Sequence, residues 1–315
     1  MAVTASLSPE TSRRIEAVVR EAVAGRRLVL AVSGGRDSMV LLLAAMRAAP
    51  ASVVVVATFD HGTGAAATRA THHVANEAAR LGVAAVIGHA STRGHSEEIW
   101  RAERRRFLRE VADTAGATVA TAHSRDDQFE TVVMRVLRDA GARGLAALYA
   151  TGDTVRPLLH VGRSDIAAYA ESHGVRWVED PTNTSMRYLR NRVRRDLLPA
   201  LLRVRPQLDD DLLDLARRAA ILRDRMDAFV GAISWVHERG ESVSVAAEHL
   251  TGYCRAELAL LWPAIAARVG LAMDWRGTAR AAAFTTQGRV GARIQLSGGW
   301  EISRTRHLFE LGRWR

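Results

Sequence analysis

The sequence predicts an α/β fold: a doubly wound, mostly parallel sheet, followed by a smaller helical and β domain. Three observations lead there. Short strand-like runs recur at residues 28–32, 53–59, 84–87 and 118–122. Segments of helical length separate them, and such alternation indicates a parallel sheet covered on both faces. Near Pro206 the pattern changes to long helices and then closely spaced short strands. We therefore expect one domain over residues 1–205 and a second over 206–315.

Taken in order, Ser8-Pro9 reads as an N-cap with proline at the first helical position, opening a helix to about residue 24. Residues 28–32 form a strand buried on both faces, and 39–46 an apolar helix. Residues 53–59, V-V-V-V-A-T-F, are β-branched and strand-like, and end in Asp60-His61-Gly62. A helix over 68–81 and a strand over 84–87 follow. Residues 97–115 read as a charged amphipathic helix carrying Arg101, Arg104, Arg105, Arg106 and Arg109. A strand over 118–122 leads to a helix over 125–138. In such sheets ligands bind at the carboxyl ends of strands, near the topological switch point. Ser33, Asp60 and His123 each follow a strand, so they are expected to converge there. Residues 179–183, E-D-P-T-N, read as a turn, and 188–203 as a helix. Beyond Pro206, Asp209, Asp210 and Asp211 precede a helix over 212–236. Another helix follows over 253–269, with Pro263 a possible kink. Strands are expected over 292–296, 300–303 and 307–311, the first two joined by a hairpin turn at Ser297-Gly298-Gly299. His72 and His73 have no partners at metal-site spacing and read as exposed helix residues.

At 315 residues and 48% hydrophobic, the chain is large enough for a substantial core. No run is apolar enough to span a bilayer, no basic-then-apolar leader is evident, and we expect a cytoplasmic protein. The lone cysteine, Cys254, excludes an internal disulfide framework and a Cys-type zinc site. The net charge is +10, and all 44 basic residues are arginine. Arginine suits phosphate through its bidentate geometry, and a basic balance favours a nucleic-acid partner. A compositional bias toward alanine and arginine would produce the same count.

Two stretches carry chemistry. Between the first strand and its helix lie Ser33, Gly34, Gly35, Arg36, Asp37 and Ser38. Glycines let the backbone turn sharply and approach a ligand. Unpaired N–H groups at the helix start favour an anion, and the serines add hydroxyl donors. The stretch is a phosphate cradle, but not a Walker loop, which needs a lysine that this chain lacks. A carboxylate beside phosphates repels them unless a cation intervenes, so Asp37 implies Mg²⁺, an ion that draws oxygen ligands from carboxylate and phosphate together. The second stretch, H-S-R-D-D-Q-F-E-T from His123, places Asp126, Asp127 and Glu130 on one helical face. The helix macrodipole partly explains acids there. Beside the cradle they also fit a metal or a cationic substrate.

S-G-G-R-D-S resembles the PP-loop of the ATP pyrophosphatase superfamily, whose members adenylate substrates and release pyrophosphate. Together with D-H-G, H-S-R-D-D-Q-F-E-T, R-P-L-L from Arg156, E-D-P-T-N from Glu179 and R-N-R-V-R from Arg190, it appears in the order and rough spacing of the tRNA(Ile)-lysidine synthases. The resemblance covers residues 27–200, and is weaker beyond, where the tail looks like the substrate-binding domain of the shorter members. It implies a two-step ligation on an isoleucine tRNA with anticodon CAU. ATP adenylates C2 of the wobble cytidine, and the amine of free L-lysine displaces AMP. The cofactors implied are ATP and Mg²⁺, with ATP held by Ser33 to Ser38, Asp60, His61 and His123, and the metal by Asp37. The resemblance makes Asp37, Asp126, Asp127, Glu130, Arg190 and Arg194 catalytic candidates. The carboxylates would grip the lysine ammonium groups, assist the metal or take a proton, roles left open among the three helix acids. Arg190, Arg194 and Asn191 would meet the AMP phosphate or target nucleotide. Arg101, Arg104, Arg105, Arg106 and Arg109 would follow the tRNA backbone. The family reads D-H-G-L-R where this chain has D-H-G-T-G, and A-R-x-x-R-Y where it has A-E-R-R-R-F.

Other classes share the cradle. A tRNA thiolase needs cysteines for a persulfide or an iron–sulfur cluster, and Cys254 lies far along the tail. NAD or GMP synthetases lack the later motifs. A non-catalytic tRNA-binding paralogue would have lost Asp37 or the helix acids, and both are present.

Overall fold

In a computed structural model, residues 9–62, 64–90, 97–179, 185–186 and 188–314 are described. The Ser8 cap and most of the expected turn over 179–183 therefore lie outside the described residues. The elements in chain order are α1 (Pro9–Val23), β1 (Leu28–Ala31), α2 (Arg36–Ala48), β2 (Val53–Asp60), α3 (Ala65–Arg80), β3 (Ala85–His89), α4 (Glu97–Ala115), β4 (Thr118–Thr121), α5 (Arg125–Val136), α6 (Ala142–Leu145), β5 (Thr154–Val155), α7 (Arg163–Ser172), α8 (Leu189–Arg192) and α9 (Leu198–Val204). Then come α10 (Leu208–Ala232), β6 (Val236–Arg239), β7 (Ser242–Ala246), α11 (Ala247–Leu250), α12 (Arg255–Ala267), α13 (Trp275–Gln287), β8 (Arg293–Leu296), β9 (Trp300–Arg304) and β10 (Leu308–Arg313). Among the described residues, no helix is long and apolar enough to cross a membrane.

The chain packs as two compact units: Met1–Gln128 with Gly152–Leu197, and Phe129–Thr151 with Leu198–Arg315. The division expected at 205/206 is thus drawn differently. Residues 129–151 group with the second unit, where Arg143 grips Asp227 through both carboxylate oxygens at 2.6 and 2.9 Å. Thr151 also donates to Asp224 there. Local sequence carries no trace of such long-range pairs.

In the first unit the sheet order is β3-β2-β1-β4-β5, and every neighbouring pair is parallel. Leu28 and Leu30 of β1 point to one face, where Ile15, Val19, Leu41, Val74 and Ile166 from α1, α2, α3 and α7 bury them. Val29 points to the other face and meets Leu108 and Ala112 of α4. Double coverage explains why β1 reads as an unbroken apolar run. The order reverses direction at β1, between β2 and β4, which makes that point the switch point.

In the second unit five antiparallel strands run β6-β7-β10-β9-β8. Trp262 of α12 and Phe309 of β10 meet edge-on with ring centroids 6.2 Å apart. The Trp262 indole N–H donates to Thr285 Oγ1 at 2.8 Å, which satisfies the polar end of a buried ring. Consecutive left-handed Gly298 and Gly299, φ 74° and 76°, make the expected turn between β8 and β9.

Several expectations need correction. The helix expected over 188–203 is α8 and α9 separated by a wider, π-type turn at Val193–Leu197. The helix expected over 212–236 is Leu208–Ala232, so the three aspartates form its first turn. Val236 instead opens a hairpin with β7, turning at Gly240 with φ 59°. α7 and α13 were not anticipated. His73 is not merely exposed: its Nε2 lies 2.8 Å from the Arg176 carbonyl.

Candidate functional site

The expected strand–loop–helix arrangement is present, with its helix beginning earlier than the apolar run implied. Gly35 is the N-cap of α2, and Arg36, Asp37 and Ser38 make its first turn. N–H groups there have no intrahelical acceptor. Ser38 Oγ donates to the Gly35 carbonyl at 2.8 Å and accepts from the Ser33 N–H at 3.2 Å. The loop is therefore braced from within, and the Ser33 amide is committed to that brace rather than to a ligand. Gly34 has φ +84°, and a Cβ placed on it would stand 2.9 Å from Ala70 Cβ and 3.0 Å from the Ala70 carbonyl oxygen. Its own carbonyl accepts from the Val178 N–H at 3.0 Å. Only glycine lets α3 approach this closely.

The loop opens into a cleft of about 510 Å³. Ala57, Phe59 and Leu108 supply an apolar wall, and Ser33, Gly35, Asp37 and Ser38 a polar one. Burial pushes the Asp37 carboxyl above its ordinary value, against the opposing pull of Arg36 and Arg163. Arg36 Nε sits 3.2 Å from Asp37 Oδ1. Among the described residues no group of three or more His, Cys, Asp or Glu could hold a metal ion. Mg²⁺ does not need one: it commonly uses one or two carboxylates and takes its other ligands from phosphate and water. A carboxylate whose charge is penalised by burial, beside a phosphate-type loop, fits that requirement.

His123 also lines the cleft, with Nδ1 2.8 Å from Thr121 Oγ1. Burial lowers its pKa to about 4, with Asp127 pulling the other way and Arg156, Arg190 and Arg104 reinforcing the shift. The ring is neutral at pH 7.

The structure separates the three helix acids. Asp127 closes a capping box: its Oδ2 accepts from the Ser124 N–H at 2.9 Å and hydroxyl at 3.1 Å, and its own N–H donates to Ser124 Oγ at 3.3 Å. Its Oδ1 accepts from Arg190 at 2.7 Å and Arg163 at 3.3 Å, and Arg194 lies 3.6 Å away. Burial raises the Asp127 pKa, but Arg190, the Ser124 amide and Arg163 outweigh it, and the net shift is downward. A carboxylate so occupied is a poor base and a poor grip for an ammonium. Asp126 Oδ2 accepts the Arg163 N–H at 2.7 Å, bracing the start of α7. Glu130 is 1% exposed, so it does not present its carboxylate on an open acidic face.

Other expected site residues turn inward. Both Asp60 carboxylate oxygens are spent on the loop, accepting from the Gly62 N–H and the Thr68 hydroxyl at 2.8 Å each. This makes Asp60 a loop organiser, while its neighbour Phe59 faces the cleft. The His61 ring meets Phe59 edge-on at 5.0 Å. Asn191 is buried, and its side-chain N–H donates to the Ser185 carbonyl at 2.8 Å, which argues against a nucleotide-facing role. Of the α4 arginines, Arg104 lines the cleft. Arg101, Arg105, Arg106 and Arg109 are exposed, and Arg106 pairs with Glu110 at 3.0 Å. Sequence reasoning missed Arg163 and Arg195, which line the cleft too. For Arg163 a signal existed: Gly162 followed by Asp165 and an apolar face marks a helix start.

The PP-loop domain family matches residues 7–201. The chain is 39% identical over 212 residues to a tRNA(Ile)-lysidine synthase of Burkholderia mallei, covering 64% of this chain and 43% of the relative. It is 36% identical over 214 residues to that of Geobacter sulfurreducens, covering 64% and 45%. It thus spans less than half the length of these curated relatives. Among solved structures, the U34-tRNA thiolase NcsA from Methanococcus maripaludis superposes with a TM-score of 0.56 at 15% identity, covering 67% of this chain and 80% of the thiolase. That likeness is one of fold.

Proposed function

The chain belongs to the PP-loop family, and on that premise we propose that it is an ATP-dependent ligase that modifies tRNA. Its reaction joins free L-lysine to C2 of the wobble cytidine of tRNA(Ile) with anticodon CAU, through an adenylated base, releasing pyrophosphate and AMP. The observation that carries this reading is the start of α2: first-turn N–H groups and the half-buried Asp37 face one cleft whose walls also carry Arg104, Arg163, Arg194 and Arg195.

Each part of the cleft matches one demand of the chemistry. Ala57, Phe59 and Leu108 form a flat apolar wall suited to adenine. The amides of Arg36, Asp37 and Ser38 stabilise charge growing on the leaving pyrophosphate. Asp37 would hold Mg²⁺, which supplies charge neutralisation at the phosphate oxygens when bound. Neutral His123 offers a ring at the cleft wall without adding positive charge. Arg190 and Arg194, gathered on Asp127, present guanidinium groups for the α-phosphate or the target nucleotide. The cytidine must leave its loop to be adenylated, as bases do in other base-modifying enzymes.

The test is incorporation of labelled lysine into a CAU-anticodon isoleucine transcript, dependent on ATP and Mg²⁺. Incorporation of labelled sulfur in its place would move the chain to the thiolase class. RNA binding with neither product would leave only a tRNA-binding paralogue.

A further inference from the structure

The adjacent acids Asp126 and Asp127 act together on one residue that neither the motifs nor the comparisons single out. Asp126 Oδ2 holds the backbone N–H of Arg163 at 2.7 Å. Asp127 Oδ1 holds its guanidinium at 3.3 Å. A third tie runs the other way, from the Arg125 N–H to the Val161 carbonyl at 3.0 Å. Asp127 is itself anchored by the Ser124 amide and hydroxyl. Arg163 is therefore fixed at both its main chain and its tip, on the first turn of α7, by the first turn of α5. Its side chain retains 25% exposure and lines the same cleft as Ser33, Gly35, Asp37 and Ser38.

A guanidinium presents its N–H donors in a rigid planar fork that matches the spacing of phosphate oxygens. Holding it in place beforehand removes most of the entropy that a flexible arginine would lose on gripping a ligand. The cleft lining is electropositive, with Arg36, Arg104, Arg163, Arg194 and Arg195 against Asp37, Asp127 and Glu179. Such a lining suits a polyanion better than a neutral or cationic group. Arg163 also acts on Asp37 electrostatically, so it stands toward the cradle rather than away from it.

We propose that Arg163 is a phosphate-binding residue that grips the outer phosphates of a nucleoside triphosphate and the pyrophosphate left after cleavage. Asp126 and Asp127 are its positioning residues. The proposal rests on the reading of the cradle as a nucleotide site. The competing role is purely mechanical: Arg163 would staple α7 to α5 and touch no ligand.

Calorimetric titration of the full chain with ATP, AMP and pyrophosphate in Mg²⁺ buffer separates these. The Arg163→Ala substitution should weaken ATP and pyrophosphate by about 10- to 100-fold, the usual range for a lost charge-assisted contact, and leave AMP within about twofold. Arg163→Lys keeps a cation without the fork and should recover part of the loss while melting with the wild type. Asp127→Glu should likewise preserve the preference of ATP over AMP better than Asp127→Ala. Equal weakening of ATP and AMP, or no weakening of either in the well-folded lysine variant, overturns the proposal. A wild-type chain that binds AMP as tightly as ATP would sink the nucleotide reading first, before any variant is made.

Discussion

Replacing Gly34 by alanine tests how the cradle is built. The backbone there has φ +84°, and the new Cβ would sit 2.9, 3.0 and 3.2 Å from Ala70 Cβ, carbonyl oxygen and Cα. A left-handed φ costs a non-glycine residue roughly 1–2 kcal/mol. Overlap with backbone atoms cannot be relieved by a rotamer change, and overpacking of this kind costs about 1–3 kcal/mol. The sum, about 2–5 kcal/mol, is a large part of the ~5–15 kcal/mol by which a domain is usually stable. Urea denaturation should show a lower midpoint with an unchanged slope. If α3 instead shifts to make room, the loss will appear as weakened ATP binding in a folded protein. The double variant Gly34→Ala with Ala70→Gly removes the Cβ overlap but neither the backbone overlap nor the φ strain, so it should restore only part. A single variant within about 0.5 kcal/mol of wild type, and binding nucleotide normally, would refute this packing.

Further outcomes follow from the charged groups. His123, with its pKa lowered to about 4 by burial, takes up a proton more readily unfolded, near pH 6.5. Its contribution is fully present above about pH 6.5 and is lost as pH falls toward 4, at most about 3 kcal/mol. Denaturation midpoints against pH should be flatter in that window for His123→Asn, and an unchanged profile would contradict the buried neutral ring. Asp37 is raised by burial, so its charge opposes folding at neutral pH. Asp37→Asn should raise the urea midpoint while abolishing pyrophosphate release and sparing RNA affinity; a variant that keeps releasing pyrophosphate would remove Asp37 from the chemistry. In the second unit, Arg143→Met should cost about 1–2 kcal/mol by removing the two-oxygen grip on Asp227, which keeps Arg223 at 3.8 Å. Adding Asp227→Leu should recover much of that, as thermal melts of the pair would show.

What was legible in the sequence was local. β1 and β2 announce themselves because strands buried on both faces need continuous apolar runs, and the cradle because its glycines and Asp37 lie within six residues. α13 gave little signal because its buried face is Gly277, Thr278, Ala281, Ala282, Phe284 and Thr285, mostly small residues with weak contrast against water. The hairpin from Val236 was absorbed into the preceding helix, since nothing polar separates Ala232 from Trp235 except Ser234. The roles of Asp60 and Asp127 were unreadable for another reason. An aspartate spent on its own turn and one aimed at a ligand have the same neighbours in sequence, and differ only in where Thr68 or Arg190 end up in space.

Asp127 shows why that distinction matters physically. Guanidinium groups crowded at a cleft wall repel one another, most strongly where water is scarce. Asp127 is 14% exposed at its side chain and lies within 3.6 Å of Arg163, Arg190 and Arg194. Its single charge offsets part of that repulsion, and their field in turn holds its carboxyl ionised. Without it, the cations would splay apart or wait for an anion to draw them together, and the ligand's binding energy would be spent on assembling its own site. A carboxylate beside a phosphate cradle thus need not oppose phosphate binding. On the proposed reading, Asp37, raised by burial, is the acid that would gain from a metal ion; Asp127, already compensated, is the acid that keeps arginines in place. Exchanging Asp127 for asparagine should therefore damage ATP affinity and pyrophosphate release together, whereas the same exchange at Asp37 should strike release far harder than affinity for AMP.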